Sequence, residues 1–149
     1  MAISEKTKKT LEKYGWSPVR KIDIAEIIKS YEKEGYVVFD TAREFLSGFG
    51  GLNLMMPSLS GGRLEKLHFD ALDMSINYEF DWAKAKGYED RVGEKLIPVG
   101  EAYNDYWVLM VSESGKMYGA YCEDLKLEGN TCEEAIENMY NSVETPEIP

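Results

Sequence analysis

The stretch Tyr106 to Cys122, YWVLMVSESGKMYGAYC, decides the fold, because two apolar runs flank Ser114-Gly115, where glycine supplies the positive φ of a tight turn. It predicts a β-hairpin. A two-residue loop pairs Glu113 with Lys116, Val111 with Tyr118, Leu109 with Ala120 and Trp107 with Cys122 on one face. The other face then pairs Ser112 with Met117, Met110 with Gly119 and Val108 with Tyr121. Both faces are largely apolar, which places the hairpin centrally in a sheet with helices over at least one side.

Outward from the hairpin, Leu96 to Val99 reads as a strand whose Pro98 lacks a ladder donor, so it belongs at a sheet edge or a bulge. Leu52 to Met56 and Leu64 to Phe69 are two further strand candidates, separated by a loop over Ser58 to Gly62. Helical spacing marks the rest. Thr7, Leu11 and Tyr14 share one face of a helix from Ser4 that stops at Gly15. Asp23 and Glu26 have capping-box spacing ahead of the stripe Ile24, Ile27, Ile28 and Tyr31, which Gly35 ends. Val38, Ala42, Phe45, Leu46 and Phe49 continue the period to Gly50-Gly51, although Tyr36 to Phe39 can also be read as extended. Tyr78, Trp82, Ala85 and Tyr88 or Glu89 suit another helix, and Thr131 with Glu134 caps a last one carrying Ala135, Ile136, Met139, Tyr140 and Val143. The expectation is one α+β domain over residues 1–149.

The chain holds 17 basic and 27 acidic residues in 149, a net charge of −10 and a pI near 4.6. A phosphate backbone is bound through Lys and Arg clusters, so direct nucleic-acid binding is not expected. The charge is uneven: Val99 to Pro149 carries eleven acidic and two basic residues, whereas Met1 to Glu34 is slightly basic. Such an excess is either a solvated face that keeps the protein soluble or a docking surface that steers a basic partner. The longest apolar stretch, Trp107 to Val111, is far below membrane-spanning length, and the lysine-rich start has no apolar run of leader length, so a cytoplasmic protein is expected.

Chemistry finds little support. His68 is the only histidine, and Cys122 and Cys132 are too far apart for a redox CxxC or a zinc knuckle, so both read as reduced thiols and no metal or cofactor is expected. No GxSxG elbow or calcium loop is present. Ser114-Gly115-Lys116 resembles the end of a phosphate loop, yet Met117 stands at its Ser/Thr position. What remains is acidic side chains interleaved with aromatics, Glu101, Tyr103, Asp105, Tyr106, Trp107, Tyr118, Tyr121, Glu123 and Asp124, a mixture that suits recognition or else divides into core aromatics and ordinary surface acids.

Six local patterns in order carry a resemblance. YGWSPVRKIDI (14–24), FLSGFGGL (45–52), LHFDAL (67–72), GEKLIPVGEA (93–102), VSESGKMYGAY (111–121) and LEGNTCEEAI (127–136) together resemble the SUKH superfamily, and within it the third subfamily, bacterial immunity proteins of polymorphic toxin systems. The resemblance covers residues 14 to about 140. It implies a mostly antiparallel sheet wrapped by N-terminal and C-terminal helices, and a non-catalytic antitoxin that neutralises a cognate secreted toxin, such as a basic nuclease, in the cytosol. A regulatory protein–protein adaptor is the other role the superfamily implies. In this light Gly50-Gly51 and Ile97-Pro98-Val99-Gly100 look like fold determinants, a helix stop and an edge strand. They transfer no toxin contacts, but a basic nuclease implied by the resemblance would meet Glu101, Asp105, Glu113, Glu123 and Asp124 as charge contacts, with Tyr106 and Tyr121 as anchors.

Overall fold

The structure, a computed structural model, describes residues 3–58, 61–76 and 82–149. Its elements run α1(Glu5–Glu12), α2(Ala25–Lys33), α3(Asp40–Phe49), β1(Asn53–Pro57), β2(Leu64–His68), α4(Ala71–Ile76), α5(Trp82–Val92), β3(Leu96–Ala102), β4(Trp107–Ser112), β5(Met117–Tyr121), β6(Asp124–Gly129) and α6(Cys132–Tyr140). The strands form one antiparallel sheet in sequential order from β1 to β6. This is the expected α+β architecture, with β4 and β5 inside the sheet. Tyr78, expected on a helix, lies outside the described residues.

Turn chemistry changed the register of the hairpin. Its loop holds three residues, Glu113 to Gly115: Ser112 N–H reaches Lys116 O at 2.9 Å, Gly115 N–H reaches Ser112 O at 2.9 Å, and Gly115 sits at φ +92°. Such a loop ends in a left-handed glycine and adds one residue to the two-residue expectation. The ladder therefore pairs Val111 with Met117, Met110 with Tyr118, Leu109 with Gly119 and Val108 with Ala120. Tyr118 consequently shares a face with Met110 and not with Val111.

Pro98 sits at a bulge, as its missing donor requires, since the β3–β4 register shifts between Pro98 and Gly100. The strand itself is not an edge strand. It lies between β2 and β4, but β2 pairs with it only at His68 and Glu101, so the ladder toward β2 is unformed around Pro98. The Pro98 carbonyl accepts the buried Tyr31 hydroxyl instead.

Helix starts follow local hydrogen bonds. Ser4 caps α1 through Thr7 N–H, and Thr131 caps α6 through Glu134 N–H at 3.0 Å. The reciprocal arm from Glu134 lands one residue early, on Asn130 N–H at 3.3 Å. Asp23 is not a capping-box residue: its carboxylate takes Ala25 N–H at 2.9 Å, two residues on, and Ile24 becomes the N-cap. Phe39 is extended at the start of α3, so Tyr36 to Phe39 lie outside that helix.

Aromatic rings join the helical layer to the sheet. Phe45 stacks on Phe49 at 5.0 Å and meets Phe69 edge-on at 4.9 Å, while Trp16 stacks on Phe49 at 5.8 Å. Helix α6 ties off both sides of the sheet: Asn138 donates to Glu128 O on β6 at 2.8 Å, and the Tyr140 hydroxyl donates to Met55 O on β1 at 2.7 Å. The chain's last residues cover the open edge of β6, with Leu127 N–H on Pro146 O and Ile148 N–H on Leu125 O. Both β6 and α4 went unpredicted, although Leu125 and Leu127 alternate with charged neighbours as a strand's residues do.

Candidate functional site

The β3–β4 turn has an unusual backbone. Tyr103, Asn104 and Asp105 sit in succession at φ 53°, 58° and 70°, and none is glycine. Each left-handed non-glycine residue costs free energy, less for Asn and Asp, so other contacts must hold the turn. Strand β2 supplies them. Asn104 N–H bonds Lys66 O at 3.2 Å, its side-chain oxygen accepts Lys66 N–H at 2.8 Å, and its side-chain NH2 donates to Glu65 at 3.0 Å. Asp105 lies 3.5 Å from Lys66 Nζ and 3.4 Å from His68 Nε2, which also meets Glu101 at 3.0 Å.

His68 is buried, and Asp70 N–H donates to its Nδ1 at 3.1 Å. Nδ1 must therefore be bare, which leaves the ring proton on Nε2, directed at Glu101 and Asp105. Burial works to lower the His68 pKa, but the Glu101 hydrogen bond and the charges of Glu101, Asp105 and Asp70 outweigh it and raise it. A proton on Nδ1 would set two N–H groups against each other, so the Asp70 contact opposes the carboxylates. The same contact bears on metal binding. Among the described residues, His68, Glu101 and Asp105 form the one group close enough to hold an ion, yet a metal at Nε2 needs that lone pair and moves the proton to Nδ1, where Asp70 N–H already points. This donor set does not suit a metal; it suits a clamp on the turn.

That role is testable. His68→Ala is expected to cost about 1–2 kcal/mol and to speed amide exchange at Asn104 and Tyr106, whose N–H groups close the turn. Unaltered exchange at those two amides would detach His68 from the turn.

The clamped turn projects Tyr106, which is 63% exposed, beside Tyr121 of β5, 45% exposed, with ring centroids 6.1 Å apart. Trp107 lies 6.3 Å from Tyr121, and Lys126 Nζ sits 5.5 Å above the Trp107 ring. Exposed Glu123 lies in the adjoining β5–β6 turn, Cys122–Glu123, with exposed Asp124 opening β6, and α5 braces the turn through Arg91 Nη1 on Glu123 O at 2.8 Å and the Tyr88 hydroxyl on Cys122 O.

Of the seven residues singled out in the sequence, the fold therefore brings Asp105, Tyr106, Tyr121, Glu123 and Asp124 to one end of the sheet. Glu101 belongs to the same end but points inward at His68, as a support and not as a contact surface. Glu113 lies at the opposite end, in the β4–β5 turn. The supports Glu65, Lys66 and Asn104 went unforeseen. Asn104-Asp105, two residues that tolerate left-handed backbone, was the available signal.

Cys122 is exposed and Cys132 buried, and both are free thiols. Burial first, then Glu133 and Glu44, pushes the Cys132 thiol up to about 12, so it is not a nucleophile. No helix among the described residues is long and apolar enough to cross a membrane.

No curated protein and no solved structure matches the chain. A family model does: that of the SUKH-3 immunity proteins matches residues 3–142, a span that contains all six strands and every described helix of the fold. That match covers most of the chain, and the chain belongs to the SUKH-3 immunity protein family.

Proposed function

We propose that this immunity protein neutralises its cognate toxin by docking the Tyr106–Tyr121 end of the sheet onto a basic surface, and that the toxin is a nuclease. The observation that carries this reading is the pairing of a pre-set aromatic turn with an exposed acidic one. Rigid tyrosines supply contact area at small entropic cost, and Asp105, Glu123 and Asp124 around them complement Lys and Arg. A nuclease must present such a basic surface to its phosphate substrate, and an acidic protein seated there excludes the nucleic acid. The immunity protein itself performs no catalysis on this reading, and it acts in the cytoplasm of the cell that makes the toxin or of its kin.

The test begins with capture of the toxin from native cells and rescue of growth by co-expression. Association of the captured toxin domain is then followed by stopped flow. E123K/D124K is expected to slow association about tenfold at low ionic strength and to flatten its salt dependence. An on-rate unchanged at low salt removes this surface from the mechanism.

A further inference from the structure

At the other end of the sheet a groove of about 430 Å³ opens between the α1–α2 connection, α3, the β4–β5 turn and the start of α6. Its size lies within the range of small-ligand sites. Trp16, Phe45 and Phe49, each less than a tenth exposed, form part of its lining, and Glu44 and Glu133 stand at its walls.

Glu44 of α3 and Glu133 of α6 reach this groove from two different elements, with Cys132 also in its lining. Both are exposed, and among the described residues neither forms an ion pair. The one cation in the lining is Arg20, and it is committed elsewhere. Its Nη1 and Nη2 donate to Gly48 O and Gly50 O at 2.7 and 2.8 Å, satisfying carbonyls at the end of α3. The groove thus combines a partly aromatic lining with two carboxylates that form no ion pair among the described residues, against the single positive charge of Arg20. A long side chain with an aliphatic stem and a cationic head uses both, the stem against the rings and the head between the acids.

We propose that this groove is a second recognition site, which receives an arginine side chain carried on an exposed segment of a partner protein. Arginine fits better than lysine, because its planar head can bond two carboxylates and lie against a ring together. The site is separate from the Tyr106 end and its test uses no toxin, so the two readings stand or fall apart.

The probe is the capped tripeptide acetyl-Gly-Arg-Gly-amide, with the citrulline tripeptide as its uncharged counterpart, read at the indole N–H resonance of Trp16, which Trp16→Phe assigns. A saturable shift with the arginine peptide is expected, at least tenfold weaker in E44Q/E133Q and absent with citrulline. The exposure of both glutamates makes the double variant mild, and if it does not fold, the comparison of the two peptides on the unaltered protein decides. No saturable shift, equal binding of citrulline, or undiminished binding by a folded E44Q/E133Q overturns the proposal. Guanidinium chloride binding as tightly as the peptide overturns the segment as occupant and leaves an ion site.

Discussion

Gly100→Ala is expected to destabilise the protein by about 3 kcal/mol, a fall of roughly 10 °C in Tm. A Cβ at residue 100 would stand 2.1 Å from His68 O and 2.7 Å from Phe69 Cδ1. Neither neighbour can yield cheaply. His68 O is backbone at the single point where β2 pairs with β3, and Phe69 is fully buried against Phe45 and Phe49. The methyl group would therefore drive β2 from β3 and loosen the clamp on the Tyr103–Asp105 turn. Gly119→Ala is the control, because its Cβ meets the side chain of Glu128, at 3.0 Å, and not backbone. Denaturant unfolding of both variants checks this: a loss below about 1 kcal/mol for Gly100→Ala would mean that the β2–β3 contact is softer than its geometry.

Raising the pH from 5 to 8 is expected to weaken the protein through Glu128, and Glu128→Gln to remove that weakness. Burial pushes this carboxyl from 4.5 up to about 7, against the smaller opposing pull of Lys126 and a hydrogen bond from Thr145. The folded state therefore holds a proton that the unfolded chain has released. Between about pH 4.5 and 7 stability falls as pH rises, and the loss is complete above the folded value. A shift of that size corresponds to about 3 kcal/mol at most. Glutamine keeps the shape without the charge, so urea unfolding should find Glu128→Gln close to the parent at pH 5 and about 2 kcal/mol more stable at pH 8. A difference that does not vary with pH would mean that water reaches the carboxylate.

Elements bounded by local chemistry were legible in advance. Ser4 and Thr131 cap the helices their positions indicate, the stripe Ala42, Phe45, Leu46 and Phe49 is buried, and β1, β2 and β3 lie within a few residues of their expected places. The errors arose where a local signal admitted two geometries. Ser114-Gly115 suits a two- or a three-residue loop, and the choice shifts every cross-strand pair by one. Asp23 can serve a capping box or a shorter side-chain turn, which moves the start of α2. Pro98 excludes a ladder donor, but whether an edge or a bulge provides the exemption depends on where β2 ends.

The candidate surface divides in the same way. The sequence by itself determined the α+β class, the hairpin, the acidic excess after Pro98, and the kind of side chains available for recognition, because periodicity and composition are properties of neighbours along the chain. Only the tertiary structure decided what each carboxylate does. Glu101 is turned onto His68, Glu128 is buried beside Gly119, Glu123 and Asp124 face water, and Glu113 stands at the far end. A carboxylate's energy is set by burial and by the charges and donors around it, and for Glu101 the decisive donor is His68 of β2, 33 residues away in the chain.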